Sequence, residues 1–96
     1  MPDYILFMHD DALGAEQDWE PYLRKLRLSG CFEGGSAIGR GLCLRKRGTP
    51  PEVTAHRTGY IRVTAEGIEQ AKSLLAGNPL WETGGTVEIR EWPRGD

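Results

Sequence analysis

Residues 4–8, Tyr-Ile-Leu-Phe-Met, are apolar on both parities. A helix would need a longer run, so the pattern predicts a strand with both faces covered. His9, Asp10, Asp11 and then Gly14 end it with loop chemistry. The period then changes. Trp19, Tyr22, Leu23 and Leu26 stand at i, i+3, i+4 and i+7, one helical stripe. Asp18 suits the start of that helix, or the helix begins a turn earlier, and Pro21 is tolerable only in its first turn. Arg24, Lys25 and Arg27 suit the negative end of the helix dipole, and Gly30 supplies a left-handed stop.

In residues 34–47, Ile38, Leu42 and Leu44 share one parity, and Gly39, Gly41, Cys43 and Arg45 the other. The second half of this segment predicts a strand, with glycines that mark a bulge or another backbone passing close by. Gly48, Thr49, Pro50 and Pro51 read as a turn or exposed loop. Residues 53–63 predict the next strand, Ile61 and Val63 facing inward and Tyr60 and Arg62 outward. Thr64 caps a second helix with the stripe Ile68, Ala71, Leu74 and Leu75, stopped by Gly77, Asn78 and Pro79. Residues 80–85 read as a loop. Residues 86–90 predict the last strand, Val87 and Ile89 on one face and Glu88 and Arg90 on the other.

The element order β-α-β-β-α-β predicts an α+β domain of ferredoxin-like plan. Right-handed crossovers place both helices on one face of a four-stranded antiparallel sheet. The other face is apolar along residues 4–8 and charged at Arg62, Glu88 and Arg90, a surface that calls for a partner. A second copy about a two-fold axis is the economical one, and it encloses a cleft between two sheets.

Several of these residues together resemble the YCII-related family of the dimeric α+β barrel group. They are residues 4–8 opening into His9 and Asp10, the pair Gly34 and Gly35, Gly59-Tyr60-Ile61, and Glu69 with Ala71. Asn78-Pro79, and Gly84 ahead of Val87-Glu88-Ile89-Arg90, complete the set. The resemblance covers nearly all of residues 1–96 and implies one domain, a homodimer, and a cleft between sheets where a His–Asp pair acts. Asp10 carries over. Tyr22 stands where compact relatives have a histidine on the first helix. Thr54-Ala55-His56-Arg57 stands in place of the Asp-Gly-Pro-Phe motif of relatives.

Composition narrows the function classes. The 96 residues are 39% hydrophobic and 27% charged, which excludes a disordered tail. No apolar run approaches the roughly 20 residues a bilayer-spanning helix needs. A net charge of −2 disfavours nucleic-acid binding. The third strand lacks the glycine–aromatic pattern of an RNA-reading sheet, and Arg40, Arg45, Lys46 and Arg47 read as a solvated strand end. The first twenty residues hold six carboxylates and no Lys or Arg, so no signal peptide is expected. Cys31 and Cys43 fit neither a CxxC motif nor a zinc knuckle, and the expectation is a reduced, cytoplasmic protein.

The candidate chemistry is small. His9 and Asp10 are the acid–base candidates, because an imidazole beside a carboxylate suits proton transfer near neutral pH. His56, Arg62 and Arg90 are the candidate ligand-binding residues, arginine on a strand being able to grip a carboxylate or phosphate with two bonds. Glu88 or Glu91 could instead pair with those arginines. No helical His-x-x-x-His spacing supports a metal, and no dinucleotide fingerprint or other cofactor motif appears. Expected partners are a second copy and a small, anionic molecule. The alternative to an acid–base enzyme is a non-enzymatic dimeric binding or regulatory module using the same cleft.

Overall fold

The computed structural model describes residues 1–12 and 18–93. Strand β1 (Asp3–His9) is central because its apolar residues serve both faces. It pairs antiparallel with β3 (Arg57–Thr64) on one side and β4 (Val87–Glu91) on the other. Strand β2 (Phe32–Ala37) adds to the outer side of β3, giving the order β2-β3-β1-β4. Helices α1 (Glu20–Ser29), α2 (Ile68–Ser73) and α3 (Pro79–Glu82) complete an α+β fold. No helix among the described residues is long and apolar enough to cross a membrane.

Parity along β1 sorts the two faces. Tyr4, Leu6 and Met8 join Ile61 and Val63 of β3, Tyr22 and Leu26 of α1, Ala71 of α2, Leu75 just past it, and Leu80 of α3 in one buried cluster. Tyr22 donates its hydroxyl to the Leu74 carbonyl at 2.8 Å, and burial pushes its pKa up. The opposite parity places Ile5, Phe7 and His9 beside Arg62, Tyr60 and Arg57 of β3. Arg90 and Glu88 flank Ile5 and Phe7 from β4. No helix among the described residues covers this second face, and its apolar residues are only half-buried.

Helix α1 has the expected features: Pro21 lies in the first turn and Gly30 closes the helix at φ 78°. Asp18 accepts the Glu20 N–H at 3.1 Å, while Trp19 holds the cap position. Tyr22 and Leu26 are buried, whereas Trp19 and Leu23 are half-buried and sit at the edge of the core. The loop expected at Gly14 lies outside the described residues.

The second strand falls earlier than the alternation of residues 38–44 predicts. Ile38, Leu42 and Leu44 are 39%, 72% and 88% exposed, so their shared parity has no surface to bury against. Residues 38–56 contain no helix or strand. The strand forms instead where the backbones can close up. A Cβ on Gly35 would stand 2.5 Å from the Tyr60 carbonyl oxygen, and the register shifts between Phe32 and Gly34, where Gly34 has φ 129°. Gly35→Ala must push β2 away from β3, and a loss of roughly 1–3 kcal/mol is expected. A urea midpoint equal to that of the unchanged chain would show that the edge strand yields freely.

The third strand starts at Arg57, not at residue 53, and Val53 is 45% exposed. Thr64 is the last residue of β3 rather than a cap. Gly67 occupies the cap position of α2 without a side-chain bond, and Ile68 is 44% exposed, off the buried stripe. Residues 80–85 are not simply loop: the Asn78 side chain accepts the Trp81 N–H at 3.0 Å and Pro79 opens a short helix. Cys31 is buried and Cys43 half-buried, and both are free thiols.

Candidate functional site

The uncovered face carries its polar chemistry at the end where β1 stops. The β1–β3 register slips between Met8 and His9, so that His9 pairs with Arg57. That slip, a bulge in effect, brings both side chains to one place. The Asp10 N–H donates to the His56 carbonyl at 2.9 Å and ties the next residues together. The His9 and His56 rings meet edge to face, centroids 4.8 Å apart.

Glu88 reaches this cluster from β4. Its Oε1 lies 3.0 Å from His9 Nε2, and its Oε2 accepts from Arg57 Nη2 and Arg90 Nη1, each at 3.2 Å. The bond to His9 is the largest influence holding the Glu88 carboxyl below its ordinary value; burial opposes it, and Arg90 and Arg57 add to it. An ionised carboxylate only accepts, so His9 Nε2 carries the proton in that bond, and Nδ1 has no hydrogen-bond partner among the described residues. The Arg57 guanidinium lies 4.7 Å from the Phe7 ring centroid, which fixes its plane.

Among the residues expected at a site, His9, His56 and Arg90 are thus brought together around Glu88. Asp10 is tied in by its backbone, and its side chain is exposed. Arg62 is elsewhere. It stands opposite Ile5, four strand residues or about 13 Å from the His9 position. There it stacks on Trp92 at 4.3 Å. Arg57 and the central role of Glu88 were not legible from spacing. Only the pairing of Phe7 with Glu88 and of His9 with Arg57 reveals them. Asp11 holds strands together: its carboxylate accepts the Thr86 hydroxyl at 2.6 Å and the Thr86 N–H at 2.8 Å. Those bonds keep its pKa below the ordinary value and clamp the end of β1 to the start of β4.

The Nε atoms of Arg57 and Arg62 are buried without a hydrogen-bond partner among the described residues. A buried donor left so is costly. No group of three His, Cys, Asp or Glu residues able to hold a metal ion occurs among the described residues. A hollow of about 670 Å³ lies on the helix side of the sheet, away from this chemistry. Compared with known proteins, the chain matches no family model and no curated sequence.

Proposed function

We propose that this chain is a YCII-related, ferredoxin-like subunit of a homodimeric α+β barrel, that the uncovered faces of two sheets enclose a small-molecule pocket, and that His9 performs acid–base chemistry there on an anionic ligand. The observation that carries the reading is the 3.0 Å contact of His9 Nε2 with Glu88, on a sheet face left open. Glu88 orients the imidazole, and Nδ1 exchanges the proton with the ligand. Arg57 and Arg90 outnumber Glu88, the carboxylate that they share, and favour an anion. The strand order β2-β3-β1-β4 supports the ferredoxin-like plan. Half-buried Ile5 and Phe7 support a covering copy.

A second reading, a non-enzymatic dimeric binding or regulatory module, draws on Tyr22. Its hydroxyl is committed to the Leu74 carbonyl on the helix side. The first helix therefore offers no proton-transfer group to the open face at the position where relatives carry histidine.

Light scattering should give about twice 10.7 kDa at micromolar concentration. Proton NMR of His9 and His56 should show saturable shifts with at least one of phosphate, acetate or citrate. A 10.7 kDa species, or imidazole signals that ignore all three anions, overturns the proposal.

A further inference from the structure

Residues 38–56 leave the sheet after Ala37 and return at Arg57, closed at the root by the Ile38 N–H donating to the Thr58 carbonyl at 2.9 Å. This arm lies away from its own core. The radius of gyration is 14.9 Å, against about 12.5 Å for a compact domain of this length. Leu42 and Leu44, on one parity, are 72% and 88% exposed. Two leucines so placed on an arm without a face of its own forfeit most of the stabilisation that burial gives.

The arm is also charged against its body. It carries Arg40, Arg45, Lys46 and Arg47 with one carboxylate, Glu52, for a net +3; the chain total is −2, so the remaining residues hold −5. The 670 Å³ hollow on the helix side is lined by Met8, Ala12, Trp19, Leu23, Phe32 and Ile61 among others, mostly apolar, with Arg27 its one charged lining residue. Exposed Asp10 lies two residues before Ala12 and exposed Asp18 adjoins Trp19, while Glu20, on its other side, already pairs with Arg27 at 3.5 Å and Asp11 holds Thr86. An apolar hollow with acidic residues beside it thus matches an apolar arm flanked by cations.

We propose that each arm crosses to a second copy, Leu42 and Leu44 settling in the partner copy's hollow and the arm's cations meeting the acidic residues beside it. The proposal rests on the homodimer inferred above. Reach is sufficient: nineteen residues out and back extend about 30 Å, and the partner's helix-side hollow lies one layer beyond its sheet, about 20 Å away when packed layers are about 10 Å apart. His56 is the last residue of the arm and Arg57 the first of β3, so a docked arm steadies the His9–Glu88 cluster at its root.

Trypsin tests this, because Arg40, Arg45, Lys46 and Arg47 are four cleavage points on the arm. In the intact chain, cleavage there should be slow at concentrations where the dimer forms and fast on dilution. L42D/L44D should weaken dimerisation roughly 100-fold and expose the arm at every concentration tested. Both leucines are exposed in the single chain, so the monomer's melting curve should not move. If L42D/L44D dimerises as the unchanged chain does, the arm proposal falls while the homodimer stands. A monomeric unchanged chain removes both. Protection that ignores concentration means that the arm folds onto its own body, which also overturns the proposal.

Discussion

Leu6→Ala should cost about 3–5 kcal/mol, the upper part of the range for a large-to-small change in a core. Leu6 is 0% exposed on the central strand. Ile61 stands opposite it on β3 and Ile89 on β4, so no neighbour can shift into the void without disturbing a ladder. Helix α1 supplies Leu26 and α2 supplies Ala71 to the same cluster, and a cavity there loosens both helices together. A domain of this size is stable by about 5–15 kcal/mol in total, so one such change can consume most of it. Ile5→Ala, one residue away on the open face, should cost less in the isolated monomer because Ile5 is only half-buried. Urea titration of both variants separates the faces. A Leu6→Ala loss of under about 1 kcal/mol would mean that the cluster repacks freely and is not the core.

The apolar run of β1 and the stripe of α1 were legible because each is a local signal. Of the run apolar on both parities, Tyr4, Leu6 and Met8 are buried and Ile5 and Phe7 half-buried; of the stripe, Tyr22 and Leu26 are buried and Trp19 and Leu23 half-buried. The second strand was not legible. Ile38, Leu42 and Leu44 alternate as a strand would, yet alternation stabilises a strand only where a sheet is beside it. The sheet is instead beside Gly35, whose missing Cβ is what admits Tyr60. A glycine pair reads as a break in sequence and acts here as a close approach. The short helix after Asn78 was signalled by an asparagine cap ahead of Pro79, a cue that the following Gly84 and Gly85 obscured. At the candidate site, His9 and His56 could be brought to one sheet end from strand order alone. Alternation placed Glu88 with Arg90 on the open face, but that it meets His9 and Arg57 needed the β1–β4 and β1–β3 registers.

Glu88→Gln should tighten anion binding at the cluster by about tenfold at low ionic strength, and the gain should shrink as salt screens it. The carboxylate now occupies Arg57 and Arg90, each at 3.2 Å, and so competes with any incoming anion for the same donors. Glutamine keeps an oxygen for His9 Nε2 but removes the charge, so the imidazole can stay oriented while both guanidinium groups are released. The same substitution should flatten the acid limb of stability. Glu88 sits below its ordinary value of 4.5, held first by His9 and then by Arg90 and Arg57. A carboxyl lowered by folding contributes its full stabilisation above the ordinary value and loses it as pH falls through the folded one. Asp11, lowered by Thr86, acts in the same direction and remains in the variant, so the acid limb becomes shallower without vanishing. The carboxylate is about a quarter exposed, which keeps its share of stability modest and makes binding the larger readout. Phosphate titration followed at the His9 and His56 imidazoles, with melting curves between pH 7 and pH 3, measures both effects. Phosphate affinity that stays level in Glu88→Gln, with an acid limb matching the unchanged chain, would show that Glu88 neither competes with the ligand nor organises the cluster.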